Sequence, residues 1–122
     1  MLNGMFAFAI WDKQTRTLYA ARDRLGVKPF YFFHKASNLA FASEIKCLLV
    51  MPNLERKMDW NSLAYFFTYN YIPAPHSIFK GVKKLLPGQA FSYQPHKDLL
   101  KITTYWNPPD RIDHQRSTRG IE

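Results

Sequence analysis

The side chains with the clearest chemical potential lie close together in the segment RDRLGVKPFY, residues 22–31. Arg22 and Asp23 stand where a predicted strand ends, so they can form an ion pair, close the following loop through Gly26, or lie in a solvated turn. Lys28 and Tyr31 flank a proline, which favours extended backbone at the residue before it.

The other residues able to act as nucleophiles or metal ligands are scattered. Cys47 is the single cysteine, so no disulfide can form within the chain, and a reducing compartment is indicated. It stands in the apolar segment SEIKCLLV at helical spacing, which predicts a small buried hydrophobe rather than a nucleophile or ligand. The histidines lack the H-x₃₋₅-H spacing of zinc sites, so we expect no metal site and assign to turns or the surface His34, His76, His96 and His114.

The strands that must position the 22–31 segment follow from the hydrophobic pattern. Residues 5–11 are almost continuously apolar, which predicts a strand covered on both faces. Further strands are predicted at 17–21, 30–33 and 39–42, and the polar turn DKQT makes the first two a hairpin. The segments GVKKLLPGQAF and KITTYW predict a final pair of short strands around a Pro-Gly turn.

Two short helices are predicted between the fourth strand and this final pair. Ser43 fits the N-cap of a helix over 44–50, so Glu44 belongs to its first turn, with contact to a partner domain as the alternative role. Asp59 caps a second helix over 60–69. The apolar side chains expected on the buried sides of the two helices are Ile45, Leu48, Leu49, Leu63, Phe66 and Phe67. The two prolines of YIPAPHSIF then require an extended connector.

Composition and charge narrow the class of protein. The 122 residues are 47% hydrophobic and 16% aromatic, which indicates an ordered domain. The net charge of +8, from 17 Lys and Arg against 9 Asp and Glu, is spread over separate loops, which favours solvated surfaces over a nucleic-acid-binding stripe. We see no basic secretory leader and no apolar stretch of about 20 residues, so we expect a soluble, cytoplasmic protein without a membrane partner.

Four segments, in this order, resemble a known family: LNGMFAFAIWD, ARDRLGVKPFYF, FASEIKCLL and YIPAPHSIFKGVKKLLPGQ. Together they are similar to the second half of the glutaminase domain of glutamine-dependent asparagine synthetases, which are ligases of the class II glutamine amidotransferases. The resemblance implies an α+β fold, the αββα sandwich of N-terminal-nucleophile hydrolases, present here incompletely. Residues 1–106 would be the second half of that domain, and residues 107–122 a tail or linker toward an absent ATP-dependent synthetase domain.

The resemblance also implies where the chemistry of the parent enzyme lies. The family's nucleophile is a cysteine exposed as the first residue of the mature chain, with its own α-amino group as the base. This chain begins Met1-Leu2, so we expect that cysteine upstream, assign no catalytic residue here, and expect this chain alone not to be catalytic.

Supporting roles at the substrate site remain for residues of this chain. Lys28 and Tyr31 are candidates for the wall beside the glutamine pocket or the ammonia route. Arg22, Asp23 and Glu44 are the other supporting candidates, and none of the five is assigned to a metal.

The parent enzyme implied by the resemblance makes asparagine from aspartate, ATP and ammonia released from glutamine. ATP and Mg²⁺ are expected as cofactors of the absent synthetase domain, and none is expected in this chain. The expected partners are glutamine, aspartate, the missing first half of the glutaminase domain and the synthetase domain, in a parent that is a candidate homodimer. Nucleic acid and membrane are not expected partners.

Three alternatives stay open from the residues. The chain could derive from another two-domain amidotransferase of the same clan, since the acceptor pocket would lie in the absent half. It could be a basic β-rich nucleic-acid-binding module whose aromatic side chains stack on bases. Such stacking requires a sheet face open to water, and the segments MFAFAIW and FYFF are too continuously apolar to leave one. It could also be a stable regulatory or dimerisation piece, which half a sandwich with exposed edges disfavours.

Overall fold

Residues 2–109 are described by the computed structural model, and they form strands in two sheets with two short α-helices. In chain order the elements are β1 (Ala7–Asp12), β2 (Thr17–Arg22), β3 (Tyr31–Lys35), β4 (Asn38–Ala42), α1 (Ile45–Leu48), α2 (Trp60–Tyr69), β5 (Val82–Lys84), β6 (Gln89–Gln94) and β7 (Leu99–Thr104). The expected α+β class, with antiparallel strands and two short helices, is confirmed. The predicted tail over 107–122 falls mostly outside the described residues, as does His114.

The first sheet has the strand order β1-β2-β6-β7 and is antiparallel throughout. The predicted hairpin of β1 and β2 is confirmed, with Ala7 opposite Arg22 and Asp12 opposite Thr17. The Asp12 carboxylate closes the turn between them by accepting a hydrogen bond from the Gln14 backbone N–H at 2.9 Å. Because short polar side chains stabilise tight turns in this way, the polar DKQT segment fixes the register of both strands.

The second sheet has the order β4-β3-β5, so β3 lies at its centre. The predicted final pair of strands is confirmed as β6 and β7, but the Pro-Gly turn does not join them. The strand before that turn, β5, pairs with β3 and places Lys84 opposite Tyr31. Its successor β6 crosses to the first sheet and pairs with β2 and β7. A Pro-Gly turn marks where a chain changes direction, but it does not decide which sheet receives the next strand.

The main core lies between the two sheets. Six buried residues form it. The first sheet contributes Ala20, Phe91 and Tyr93, and these pack against Phe30, Phe32 and Leu85. The ring of Phe91 lies 5.8 Å from the ring of Phe30 in an edge-on arrangement and 5.8 Å from that of Phe32. Aromatic pairs at such distances add to the stabilisation that comes from area burial alone. The two sheets are therefore joined by one aromatic contact layer.

A second cluster lies on the other side of β3. Phe33 packs there with Leu48 of α1, Leu54 and Val82. Because side chains alternate along a strand, Phe32 and its neighbour face opposite layers, and β3 is buried on both faces. The sequence FYFF, rather than MFAFAIW, is thus the strand with two dry faces.

The expected double coverage of residues 5–11 is wrong within the described residues. β1 is an edge strand with one neighbour, and Ile10 and Trp11 are 57% and 46% exposed. Its inward side chains Ala7 and Ala9 pack against the core, while the outward ones meet no covering layer. A continuous apolar run predicts that both faces of a strand suit burial, but it does not identify the residues that cover them.

Helix α1 differs from its prediction in extent and cap. It spans only Ile45–Leu48, and its N-cap is Glu44, whose side chain makes no capping hydrogen bond, instead of Ser43. Cys47 is exposed, so the expectation of a buried cysteine is also wrong. In a helix of one turn only one or two side chains can point inward, and Leu48 takes the buried position.

Helix α2 begins as predicted but exposes the face expected to be buried. The Asp59 carboxylate accepts hydrogen bonds from the Asn61 N–H at 3.2 Å and the Ser62 hydroxyl at 2.9 Å, which confirms the N-cap. Among the ten residues of the helix, Ser62 alone is buried. Phe66 and Phe67 are 46% and 76% exposed, which contradicts their predicted place in the core.

The aromatic layer between the sheets gives a stability test. Replacing Phe91 by Ala should lower the free energy of unfolding by about 3–5 kcal/mol, because the cavity would open between the two sheets. The exposed Phe67→Ala variant should change it by less than about 0.5 kcal/mol. Urea unfolding followed by circular dichroism measures both, and equal losses would contradict a core centred on Phe91.

Candidate functional site

The loop that follows β2 is built around a buried carboxylate. Asp23 is 1% exposed, and its Oδ1 accepts hydrogen bonds from the backbone N–H groups of Leu25 at 3.2 Å and Val27 at 3.0 Å. Its Oδ2 accepts from the N–H of Lys28 at 3.0 Å. A buried carboxylate is costly unless its oxygens are bonded, and here three loop N–H groups supply the bonds. The loop can therefore adopt this path only around Asp23.

The backbone of the same residue ties the loop to distant segments. The Asp23 N–H donates to the carbonyl of Phe6 at 2.9 Å, while its carbonyl accepts from Gly26 at 3.1 Å and from Gly88 at 3.0 Å. Three separate parts of the chain are thus held by one residue: the entry to β1, the loop itself and the turn before β6.

The surroundings of Asp23 act on its pKa in opposite directions. Burial is the largest single influence and raises the pKa, but the surrounding backbone N–H groups, with Lys28 first among them, together lower it below the ordinary 3.8. The carboxylate is therefore ionised at neutral pH.

Arg22 bonds to backbone carbonyls and not to its neighbour. Its Nε donates to the carbonyl of Lys28 at 2.7 Å, and its two terminal nitrogens donate to Gly26 at 2.6 Å and Leu85 at 2.5 Å. No ion pair joins Arg22 to Asp23 within residues 2–109, so of the predicted roles the closing of the loop is the one observed. Desolvation lowers the pKa of the guanidinium, and the charges of Asp23 and Tyr31 raise it again. The fork geometry lets one side chain fix three carbonyls.

Gly26 fits where another residue would not. Its φ of +66° lies in the left-handed region, and a Cβ there would stand 2.7 Å from Cγ of Pro87 and 3.2 Å from Cζ of Arg22. The loop packs this closely because the Arg22 guanidinium lies directly beside it.

Tyr31 and Lys84 extend this arrangement across the second sheet. The Lys84 ammonium lies 5.9 Å from the centre of the Tyr31 ring and donates to the carbonyl of Ile72 at 2.6 Å, while its backbone N–H donates to Pro75 at 2.8 Å. Desolvation, and then the charge of Arg22, lower the pKa of Lys84. The sequence interpretation missed this residue because it grouped Lys84 with solvated loop lysines. The pairing of β5 with β3 places Lys84 beside Tyr31, and the hydrophobic pattern of the sequence does not show which strands pair.

The remaining predicted candidates lie apart or act through their backbone. The side chain of Lys28 is exposed, and its contribution to the loop is its N–H and carbonyl group. Glu44 is an exposed residue paired with Lys46 at 2.6 Å, and no contact joins it to the loop. The structure therefore brings together Arg22, Asp23 and Tyr31, and it adds Lys84.

A separate polar cluster joins the two sheets at their far end. His34 of β3 pairs with Asp98 at 2.8 Å through Nε2, and the Tyr93 hydroxyl bonds to the same carboxylate at 3.1 Å. The His34 side chain is 23% exposed, so it lies partly at the surface and is bonded there to Asp98. The hydrogen bond from His34 is the largest of the influences that lower the pKa of Asp98. This cluster is structural, because its groups are bonded to each other.

No group of three or more His, Cys, Asp or Glu within residues 2–109 is placed to hold a metal ion. A surface cleft of about 290 Å³ lies against the loop, lined by Asp23, Leu25 and Val27 on one side and by Asn3 and Trp106 on the others. The Asp23 carboxylate is occupied by the loop backbone, so the loop contributes shape and rigidity to this cleft. In the part of the chain described, we find no helix long and apolar enough to cross a bilayer.

Comparisons with known proteins agree on the class of domain. The family model described as a glutamine amidotransferase domain matches residues 1–106. The chain is 44% identical over 107 residues to asparagine synthetase [glutamine-hydrolyzing] 3 of Bacillus subtilis, covering 87% of this chain and 17% of that protein. It is 36% identical over 110 residues to the putative asparagine synthetase 2 of Methanocaldococcus jannaschii, covering 88% and 21%. It is 39% identical over 105 residues to asparagine synthetase 1 of B. subtilis, covering 86% and 16%. The chain thus spans about a fifth or less of the length of these relatives.

Replacing Asp23 by Asn tests whether the loop depends on the carboxylate. The amide would turn a donor toward backbone N–H groups that also donate, so we expect a loss of about 2 kcal/mol in the free energy of unfolding. The matched control is Asp12→Asn, which changes an exposed turn carboxylate and should cost less than about 1 kcal/mol. Urea unfolding at pH 7 measures both, and equal costs would rule out a special role for the buried carboxylate.

The same residue should make stability depend on acid. A carboxylate whose pKa is lowered on folding contributes stability that is fully present above its unfolded pKa of about 3.9 and is lost as the pH falls through the lower folded value. When the pH is lowered below about 4, we expect the unfolding free energy of the unsubstituted chain to decrease. That of Asp23→Asn should decrease less steeply over the same pH range. Superimposable pH profiles from urea unfolding would contradict this.

Proposed function

This chain belongs to the glutamine amidotransferase domain family, and on that premise we propose that it is part of a glutamine-hydrolysing asparagine synthetase. The observation that carries the proposal is the 44% identity to a B. subtilis asparagine synthetase over 87% of the chain. The parent would use glutamine, aspartate and ATP with Mg²⁺, and the ATP-dependent step would belong to a synthetase domain outside this sequence. Its location would be cytoplasmic.

Within that enzyme we assign residues 1–106 to the second half of the glutaminase domain, and residues 107–122 to the link toward the synthetase domain. The nucleophile would be an N-terminal cysteine supplied by the first half, so this chain alone would not hydrolyse glutamine. The contribution of this chain would be positional. The Arg22–Asp23 loop would form a rigid wall, with Lys28 and Tyr31 beside the glutamine pocket or the ammonia route.

The exposed side of the first sheet supports a missing layer. Ile10 lies opposite Tyr19 in the β1–β2 register, and the two are 57% and 46% exposed. β1 has no second neighbour within residues 2–109, so its outer backbone groups are open to a further strand. A sheet with an apolar outer face is stable when another layer covers it, and we assign that layer to the first half of the domain.

A chimaera tests the function. Residues 2–106 would replace the matching segment of B. subtilis asparagine synthetase 3, and asparagine formation would be measured with glutamine and, separately, with ammonia. We expect both activities in the chimaera and no glutamate release by the isolated chain. Glutamate release by the isolated chain would contradict the assignment of the nucleophile to the first half. Asparagine formation from ammonia but not from glutamine in the chimaera would contradict the assignment of residues 2–106 to the glutaminase domain of this enzyme.

The role of the loop has its own variant in the same chimaera. Gly26→Val should lower glutamine-dependent asparagine formation by about tenfold or more and leave ammonia-dependent formation unchanged, because the displaced loop belongs to the glutaminase half alone. Lys13→Val, in the exposed turn after β1, is the control and should alter neither rate. If asparagine formation falls equally with glutamine and with ammonia, the loop has no selective effect on the glutamine-dependent reaction.

A further inference from the structure

A cleft of about 160 Å³ beside the end of β3 is lined by three lysines from different parts of the chain. They are Lys35, the last residue of β3, Lys57, before α2, and Lys80, before β5. We call this the three-lysine cleft, and it shares no lining residue with the cleft beside the Arg22–Asp23 loop. Ammonium groups repel one another, so three of them around one small cleft favour a negatively charged occupant.

Backbone pairing brings two of these lysines together. The Lys80 N–H donates to the carbonyl of Lys57 at 2.9 Å, and Met58 pairs with Phe79 in an isolated β-bridge beside that bond. The main-chain positions of Lys57 and Lys80 are therefore fixed next to each other, independently of their side chains.

Gly81 keeps one side of the cleft open. Its φ is +84°, and a Cβ at this position would lie 3.3 Å from Cε2 of the Phe33 ring. Phe33 also lines the cleft and is 3% exposed, so its ring is held by the cluster behind β3. A larger residue at position 81 would meet this fixed ring, and glycine avoids that contact.

Glu55 holds two of the three ammonium groups in place. The Lys35 Nζ lies 3.2 Å from Oε1 of Glu55, and the Lys57 Nζ lies 2.9 Å from Oε2. The hydrogen bonds from Lys57 and then from Lys35 lower the pKa of Glu55, so its carboxylate is ionised at neutral pH. Each ammonium has three donors, so both lysines retain donors for a further acceptor.

The charge of the cleft matches that of a phosphate group. Three ammonium groups and the Glu55 carboxylate leave two positive charges, and Lys80 has no carboxylate partner within residues 2–109. A phosphate monoester carries about −1.5 to −2 at pH 7, whereas a carboxylate ligand would carry half of that. The cleft has the liquid volume of about five water molecules, which is sufficient for a phosphate group.

A second cleft adjoins the first and has a different character. It has a volume of about 230 Å³ and shares Phe33, Lys35 and Asn53 with the three-lysine cleft. Its other lining residues are Ala36 and Asn38, so Lys35 is the one charged residue among those that line it. Amide and small apolar side chains suit the uncharged part of a ligand.

We propose that the three-lysine cleft binds a phosphate group, either as free phosphate or as part of a small phosphate ester. In an ester, the organic part would lie in the adjoining cleft. The side chains of Lys35 and Lys57 are 62% and 72% exposed, so water and salt screen their charges. We therefore expect half-saturation at about 1–10 mM phosphate, the range of weak small-ion binding.

Lysine acylation tests the site residue by residue and requires no enzymatic activity, so its outcome is independent of the proposed function. The 122-residue chain, and separately the chimaera with B. subtilis asparagine synthetase 3, would react with N-hydroxysuccinimidyl acetate in inorganic phosphate or in acetate of equal ionic strength. We expect phosphate to slow the acylation of Lys35, Lys57 and Lys80 by about threefold or more, because an ammonium bonded to an oxyanion is less available to react. Mass spectrometry of the peptides measures each rate.

The internal controls are Lys83 and Lys101, which do not line the cleft. Equal slowing of these two would overturn the proposal, since it would indicate general screening of positive charge. Equal slowing of the cleft lysines by acetate would overturn it as well, because a single negative charge would then be sufficient. Protection in the isolated chain but not in the chimaera would also contradict the proposal.

A pair of variants separates the cleft from the net charge of the chain. Lys80→Gln should raise the phosphate concentration for half-protection of Lys35 and Lys57 by about threefold or more. Lys83→Gln removes the same charge and should change it by less than about 1.5-fold. Lys83 lies opposite Phe32 in the β3–β5 register, so its side chain projects from the face opposite to that of Phe33. Equal effects of the two variants would rule out a specific site.

Glycerol phosphate distinguishes the two sources of the phosphate group. Half-protection at a lower concentration of glycerol phosphate than of inorganic phosphate would support an ester whose organic part occupies the adjoining cleft. Half-protection at a lower concentration of inorganic phosphate would support a site for free phosphate. Absence of protection by both would overturn the proposal.

Discussion

The buried carboxylate of Asp23 is the constraint on which the arrangement of this chain depends. A charged group with 1% exposure is tolerated only when its lone pairs are bonded, and the residues that bond it are the loop's own backbone. The same residue holds the entry to β1 and the turn before β6 through its main chain. Arg22 then binds the carbonyl groups of that loop from the other side. Two adjacent residues of opposite charge thus bond the N–H groups and the carbonyl groups of one loop, without pairing to each other.

This division determines what the side chains of Arg22 and Asp23 are used for. The side-chain nitrogens of Arg22 and the carboxylate oxygens of Asp23 are all bonded to backbone groups. A group used in this way gains rigidity and loses its availability for proton transfer or nucleophilic attack. In the proposed function such a loop would shape a pocket without competing for the reacting atoms.

The sequence alone predicted the features of the fold that depend on a local residue pattern. The β1–β2 hairpin, the Asp59 cap and the α+β class follow from turn residues and periodicity, which act over a few positions. It did not predict the contacts between segments that are distant in the chain. The pairing that sets Lys84 against Tyr31, and the exposure of Phe67 on a helix with an apolar pattern, depend on which surfaces the surrounding residues cover. The resemblance to a family supplied the candidate loop, but only the structure shows that Arg22 binds carbonyl groups and not Asp23.

Lys84 has a consequence for how the segment that leaves α2 is held to the second sheet. Its ammonium and its backbone N–H hold two points of the connector that leaves α2, at Ile72 and Pro75, while its side chain lies against Tyr31 near the Arg22 loop. The connector after α2 and the strand that carries Tyr31 are therefore joined by one lysine. Removal of the Lys84 side chain would release the connector at Ile72 and leave the Tyr31 ring without its cation, while the backbone hydrogen bond to Pro75 would remain.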